Sequence, residues 1–230
     1  MICHITYSDD NMTISRHRCI ISARDYGCGT SYYPTIDKAF ALNYKHILEA
    51  ERGAGYWLWK PYLINWLANR VTIGDIIVYT DAGVEFINHV NHLVNAMDED
   101  VFLFGNHYQH QDWCKREVFD AMGARAGYQV QASAMLFRVS SESKRFIAEW
   151  LEACCKPDYI NDVIRMEQYP EFREHRHDQA ILTCLQQKYH YDLHWWPAVY
   201  NDGAFTYEKG AYMDMYPPIF HHHRKRNHEW

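Results

Sequence analysis

The side chains best suited to chemistry in this sequence stand where one backbone pattern gives way to another. Asp81 closes the apolar run of "GDIIVYTDAGVEF", residues 74–86, with Gly83 and then Glu85 following at alternate positions. A carboxylate cluster of this kind suits a hard cation, which takes oxygen ligands, and a bound diphosphate would complete its shell. An aspartate at a strand end also makes Asx turns or caps a helix, so the position leaves both uses open. Gly83 permits close backbone approach by a ligand. The segment "IFHHHRKRNHEW" gathers four histidines, three of them consecutive, and three basic residues in a chain of net charge −6. A diphosphate with its cation is the simplest partner that uses both ligand types, and a solvated basic end is the alternative. In "RGAGYWLWKPY" the glycines around Arg52 make a tight turn before a helix that carries Lys60. A helix start with basic side chains beside it suits an anion. In "EHRHDQAIL" Asp178 precedes an apolar helical run, where it either caps the helix or acts on a proton.

These residues need elements to hold them. A short apolar run near residues 2–7 predicts a first strand, and "RCIISARDYG" predicts a second. "TIDKAFALNYKHILEAERG" and "GYWLWKPYLINWLANR" have helical spacing, the latter with Pro61 in its first turn, where a missing N–H costs nothing. "DIIVYT" is too short for a helix and apolar on both faces, as a buried central strand is. Beyond it "FINHVNHLVNAM" predicts a helix, "VFLFG" a strand, "KREVFDAMGA" a helix, "QASAMLFRVS" a strand and "ESKRFIAEWLEACC" an amphipathic helix. Residues 157–177 are polar and aperiodic, an excursion on the ligand side, and "DQAILTCLQQKY" resumes as a helix. Strand and helix in alternation predict an α/β sheet covered on both faces.

Composition sets outer bounds. The 230 residues suit one domain over 1–230, with no repeat or Ser/Gly linker to divide it. Outside the last dozen residues nothing concentrates Lys and Arg, which argues against a general nucleic-acid binder and leaves room for a local anion site. The 18 Tyr, 8 Trp and 15 His are a load of the kind that lines pockets. Seven cysteines without a C-x-x-C pair read as free thiols in a reducing compartment. No apolar run reaches 18 residues and "MICHITYSDD" lacks the features of a signal peptide, so no transmembrane segment and a cytoplasmic location are expected.

In order, "ITYSD", "RGAGYWLWKPYLI", "GDIIVYTDAG", "DWCKRE", "QASAMLFRVS", "HDQAIL" and "HHHRKRNHEW" resemble the small nucleotide-sugar-dependent glycosyltransferases of the GT-A fold found in bacterial polysaccharide clusters and large DNA viruses. The resemblance implies a single GT-A, Rossmann-like domain whose mixed, mostly parallel sheet is flanked by helices. It also implies transfer of a sugar from a nucleoside diphosphate donor, UDP in the first instance, to a hydroxyl of a glycan or other acceptor. The family's Asp-x-Asp motif, which holds Mn²⁺ or Mg²⁺, reads Asp81-Ala82-Gly83 here and lacks its second aspartate. The resemblance therefore implies either that Asp81 takes the metal, helped by Glu85 or a histidine, with His222 or His223 completing the shell, or that the enzyme uses less metal than its relatives. Residues 219–230 become a tail closing over the donor, and Arg224 and Lys225 meet the diphosphate with Arg226. Thr6 and Tyr7 fall where this fold places the base, with core packing an equal account of Tyr7. Tyr79, Thr80 and Gly83 accompany Asp81 at the donor, together with Arg52 and Lys60.

On the acceptor side the resemblance puts the Asp178-Gln179 pair under the sugar, with Asp178 as the catalytic group and His177, Gln179 and Gln131 around it. Lys115 and Arg116 read as helix-surface charges. A non-catalytic carbohydrate- or nucleotide-sugar-binding protein on the same fold is the alternative that the incomplete motif leaves open. A nucleotidyltransferase is less well matched, because "SDDNMTISRHR" has no glycine for a phosphate loop.

Overall fold

Five consecutive buried residues, Ile76–Thr80, form the strand around which the chain is built. Alternation sends Ile77 and Tyr79 to one face and Ile76 and Val78 to the other, and each set joins a separate apolar core. An unbroken apolar run needs cover on both sides, and it has it. The computed structural model describes residues 1–200 and 215–230. In chain order the strands are β1 (Ile2–Ile5), β2 (Thr30–Tyr32), β3 (Ile76–Thr80), β4 (Val84–Phe86), β5 (Val101–Gln109), β6 (Tyr128–Arg138), β7 (Leu193–His194), β8 (Ala198–Tyr200) and β9 (Phe220–His222).

Six of them make a sheet in the order β2-β1-β3-β6-β5-β7. Only β6 pairs antiparallel with its neighbours, so the sheet is mixed and mostly parallel. The helices Trp59–Ala68, Ser141–Cys154 and His177–Tyr189 cover the face that Tyr79 points to, through Leu63, Phe146, Trp150 and Ile181 among others. The helix Thr13–Asp25 lies on the opposite side, where Ala23 enters the second core. A smaller sheet, β4-β9-β8, joins that second core through Val84, Phe86, Ala198 and Phe220. Its middle strand is the carboxyl-terminal one, antiparallel to β4 and parallel to β8.

Three local expectations change. Residues 18–27 are not a strand: Arg18–Asp25 belong to the helix Thr13–Asp25, and Tyr26 and Gly27 form the turn after it. Its buried residues are Ser15, Cys19 and Ala23, spaced by four, while the two isoleucines that suggested a strand lie toward the outside, Ile21 being exposed. The helix expected over residues 35–53 is broken into Lys38–Asn43, capped by the Asp37 carboxylate on the Ala39 and Phe40 N–H groups, and Lys45–Leu48. Of "FINHVNHLVNAM" only Asn91–Ala96 is helical, because Phe86 is spent in β4.

Candidate active site

Asp81 follows β3 directly, and its N–H continues the ladder by donating to the Ser133 carbonyl at 2.9 Å. The Tyr79 hydroxyl donates to Asp81 Oδ1 at 2.5 Å. From the helix Trp59–Ala68 the Lys60 ammonium reaches the same oxygen at 3.3 Å. Lys60 also lies 3.2 Å from Asp178 Oδ2 and donates to the Ala132 carbonyl at 3.0 Å. A single buried cation thus joins the end of the central strand to the start of the helix His177–Tyr189. The backbone carbonyl of Asp178 is fixed as well, accepting from Trp150 Nε1 at 3.0 Å.

The two carboxylates differ in environment. The Asp81 side chain keeps 30% of its surface open to the cleft, whereas Asp178 keeps 4%. Burial pushes the Asp178 carboxyl up to about 6, with Lys60 opposing the push and the Asp81 charge adding to it. Burial acts upward on Asp81 too, but Lys60, the Tyr79 hydroxyl, His222 and Arg224 outweigh it and hold Asp81 below the usual carboxylate range. Burial alone would lower the Lys60 ammonium; Asp178 and Asp81 reverse that and raise it, so it stays charged.

The opposite wall is the carboxyl-terminal segment. His222 sits beside Val84 in the β4–β9 ladder, and the N–H groups of His223 and Arg224 both donate to the Gly83 carbonyl, at 3.0 and 3.1 Å. A Cβ on Gly83 would lie 2.8 Å from Arg224 Cα, so this glycine is required by the tail backbone rather than by a ligand. Arg224 Nε donates to His222 Nε2 at 2.9 Å. With Nε2 an acceptor, the neutral ring carries its proton on Nδ1 in this arrangement, and that buried Nδ1 has no hydrogen-bond partner among the described residues. Burial foremost, with Arg224 beside it, lowers His222 to about 3, so it is neutral.

The third wall is a left-handed turn. Gly53, Ala54, Gly55, Tyr56 and Trp57 have φ of +61°, +48°, +95°, +52° and +60° in succession. Such a run is rare for residues with a Cβ and costly at each of them. Trp59 Nε1 fastens it by donating to the Gly53 carbonyl at 3.0 Å. Across the cleft His177, itself at φ +46°, stacks on Tyr56 and packs on Trp57, with ring centroids at 5.0 and 5.3 Å. Its Nε2 meets Asp162 Oδ1 at 2.9 Å, while burial lowers its basicity to about 4. The walls enclose a cleft of about 540 Å³. Ala54, Trp57, His177 and Arg224 all line it, so strained backbone gathers there, as it does at functional sites.

Neither a protein-family model nor a curated protein matches the sequence. Solved structures do match its shape. A glycosyltransferase involved in the glycosylation of the major capsid of PBCV-1 superposes with a TM-score of 0.53 at 11% identity, covering 96% of this chain and 92% of that one. The galactosyltransferase LgtC, solved with donor and acceptor sugar analogues, gives 0.50 at 14% identity over 97% and 87% of the two chains. The bifunctional glycosyltransferase WbbM gives 0.57 at 12% identity, covering 98% of this chain and 46% of that one. The fold is GT-A.

On this GT-A scaffold the cleft takes in many of the residues singled out in the sequence: Tyr7, Arg52, Lys60, Asp81, Gly83, His177, Asp178, Gln179, His222 and Arg224. Others point elsewhere. Thr6 is wholly buried, and the Thr80 hydroxyl faces inward to His4 Nε2 at 2.8 Å and Cys19 Sγ at 3.1 Å. Tyr79 is buried and reaches the cleft only through Asp81. Gln131 is tied to Ser133 Oγ and Asn106 below the lining. His223 turns to Glu85, which also binds Arg18 at 2.5 Å; neither lines the cleft, so Glu85 is not at hand to help Asp81. The Lys225 ammonium lies over the Trp230 ring at 4.3 Å, and Arg226 takes the place in the cleft.

Lys60 and Arg52 are not free anion receptors either. Lys60 is engaged as above, and Arg52 pairs with Glu174 at 2.5 Å and with Asp162 at 3.8 Å. Nor is Asp178 the helix cap, since it is the second residue of its helix and Arg176 holds the cap position. Lys115 is fully buried, not a surface charge, and its ammonium donates to the Asn161 and Val163 carbonyls of the 157–177 excursion. Sequence reasoning passed over Asp9, Asn11 and Arg176, which also line the cleft. Asp9 and Asn11 belong to the polar run "SDDN" after the first strand, and only the folded chain sets that run against the tail, where Asn227 donates to the Asp10 carbonyl at 2.7 Å.

Proposed function

We propose that the cleft transfers a sugar from a nucleoside diphosphate, with UDP as the donor nucleotide, to a hydroxyl of a glycan or other acceptor. The observation that carries this reading is Lys60 held between two carboxylates of opposite disposition, one open to the cleft and ionised, the other buried with a raised proton affinity. Tyr79 and Lys60 both occupy Asp81 Oδ1, which leaves Oδ2 without a hydrogen bond among the described residues. That oxygen and the unpartnered Nδ1 of His222 fit a divalent cation, Mn²⁺ or Mg²⁺, once the Nδ1 proton moves to Nε2 and Arg224, which lines the cleft, swings its Nε off that nitrogen. When bound, the cation neutralises charge on the departing diphosphate. Arg224 and Arg226 stand at the same end of the cleft and match phosphate oxygens.

Asp178 is the group that handles the acceptor's proton or steadies charge at the sugar, according to the stereochemical course. Lys60 and Trp150 fix where it does so. Arg52, already paired with Glu174, contributes to sugar hydroxyls rather than to the diphosphate. Tyr7, packed on Trp59 at 4.7 Å between ring centroids, offers a face to the base. The tail belongs to the donor site as a fixed wall, since Ser15 Oγ donates to the Lys225 carbonyl and Ile14 N–H to Asn227 Oδ1.

The test is release of nucleoside diphosphate from a panel of nucleotide sugars, with and without Mn²⁺ and with simple glycan acceptors. Cation-dependent release from at least one donor, stopped by Asp178→Asn, is the expected result. Tight donor binding with no release from any of them would identify a non-catalytic sugar-nucleotide-binding protein.

A further inference from the structure

Outside the cleft lining, among the described residues, His110, Cys114 and Cys184 are all buried, with their ligating atoms within 4.8 Å of one another. His110 and Cys114 come from the turn after β5, and Cys184 from the helix that begins at His177 and Asp178. Such a trio suggests a soft metal ion, but the hydrogen bonds around it argue otherwise. The Ala132 N–H can only donate, and it does so to Gln179 Oε1 at 3.4 Å. Gln179 Nε2 is thereby turned to Gln129 Oε1, at 2.7 Å. Gln129 Nε2 must then donate, to the Trp113 carbonyl at 3.2 Å and to His110 Nδ1 at 3.3 Å. His110 Nδ1 is an acceptor, so the proton of the neutral ring sits on Nε2, which lies 3.3 Å from Cys184 Sγ.

An ion would need the Nε2 lone pair that this proton occupies, and the proton cannot move to Nδ1 because the buried Gln129 amide, fixed by Gln179 and the Trp113 carbonyl, already donates there. The arrangement instead gives Cys184 the His110 ring N–H as a hydrogen-bond donor, with the Cys114 sulfur within 4.8 Å and the Cys114 thiol turned to the Lys115 carbonyl at 3.6 Å. The adjacent Cys114 sulfur foremost, with the His110 N–H, holds Cys184 below the ordinary thiol value against the effect of burial, while burial pushes Cys114 up. All seven cysteines are free thiols in the structure.

We propose that Cys184 and Cys114 form a reversible thiol–disulfide pair, with Cys184 the attacking sulfur, Cys114 the resolving one, and a water-sized hydroperoxide as oxidant. The Cys184 thiolate attacks the peroxide oxygen; an S–O bond forms, the O–O bond breaks, and the leaving oxygen departs as water or alcohol with a proton from solvent. Cys114 sulfur then attacks the sulfenic sulfur, forming the S–S bond and breaking S–O, and its own proton leaves with the hydroxide as water. Two electrons pass from the thiols to the peroxide. The bond ties the helix bearing Asp178 and Gln179 to the 110–114 turn, and it takes from His110 its thiolate partner.

The experiment treats the full-length protein with hydrogen peroxide, alkylates the remaining thiols and maps them by mass spectrometry. A Cys114–Cys184 linked peptide that dithiothreitol reverses is expected, with Cys184 consumed at least about tenfold faster than Cys3 or Cys28, which are equally buried but lack a histidine donor of this kind. In Cys114→Ala, dimedone should label Cys184 as the stranded sulfenic acid. Oxidation of Cys184 no faster than that of Cys3 and Cys28 would overturn the proposal. So would one equivalent of zinc per purified chain that leaves both thiols unreactive.

Discussion

The end of β3 and the start of the helix His177–Tyr189 present the same functional group to the same ammonium, and the two sites treat it in opposite ways. Asp81 meets Lys60 while also receiving the Tyr79 hydroxyl and facing the cleft, and it is held as an anion. Asp178 meets Lys60 from inside the protein, and its carboxyl is pushed up to about 6 by burial. Two aspartates with near-identical intrinsic acidity are thereby separated into an anion that faces a cation-and-phosphate site and a group with appreciable affinity for a proton at neutral pH. Distance to the lysine does not make the difference, since the two contacts differ by only 0.1 Å. Depth and the second hydrogen-bond donor do.

The most damaging way to break this comparison is to remove its pivot. Lys60→Met should leave two carboxylates facing each other in the interior and cost about 3–5 kcal/mol of folding stability, as removal of one partner from a buried ion pair does. Urea denaturation would measure it. A variant that unfolds at the same midpoint as the unaltered chain would show that the carboxylates do not depend on the ammonium.

Replacing each carboxylate in turn separates their roles. Asp178→Asn should lower turnover by roughly 10²–10⁴, the range for a lost acid–base group, and leave nucleotide affinity almost unchanged. Asp81→Asn should abolish the cation-dependent part of nucleotide affinity. Calorimetric titration of UDP with and without Mn²⁺ reads both variants. Equal loss of affinity in the two would mean that they act as one unit and not as two.

The pH dependence sharpens the contrast because the two signs are opposite. The Asp178 carboxyl is raised above its unfolded value, so the stability it contributes is complete below that value and is lost as pH rises through about 6. Asp81 is lowered, so its contribution is present above its unfolded value and is lost as pH falls toward acid. Turnover should rise with pH through about 6 as Asp178 sheds its proton, and Asp178→Asn should flatten that limb. A limb that survives the substitution belongs to another group.

How far this arrangement was legible in the sequence follows from what each part depends on. The end of β3 was legible because an unbroken apolar run has to be a buried strand and Asp81 is where it stops. Asp178 was marked by its place at the head of an apolar helical run. Lys60 could be recognised as unusual but not placed, because the partners that meet it come from residues 81, 132 and 178 and only the folded sheet brings them together. Gly83 was read as a point of close approach by a ligand, and in the fold the tail of the chain itself comes close there. The helix Thr13–Asp25 was misread because small buried residues at Ser15, Cys19 and Ala23 carry little apolar signal, whereas Ile20 and Ile21 carry much and pack little.

The left-handed turn was the least legible wall, and it yields the smallest effect and the finest test of how the cleft is held. Two of its positions are glycine and three are not, so its strain is unevenly distributed. Gly55→Ala should destabilise by more than about 1 kcal/mol, because the residue stands at φ +95° and a Cβ there would lie 2.6 Å from Leu48 Cα, which is backbone and cannot turn aside. Ala54→Gly should do the reverse. Holding an alanine left-handed costs about 1–2 kcal/mol, and the extra freedom glycine gives the unfolded chain takes back about 0.5–1 kcal/mol. The net gain of about 0.5–1 kcal/mol should raise the melting temperature by about 2 °C. Turnover should stay that of the unaltered chain, because Trp59 still anchors the Gly53 carbonyl and His177 still packs against Tyr56 and Trp57. A variant that melts higher but turns over more slowly would show that the alanine's stiffness itself holds the wall in place, and that this side of the cleft, unlike the Lys60 side, is kept rigid by strain rather than by charge.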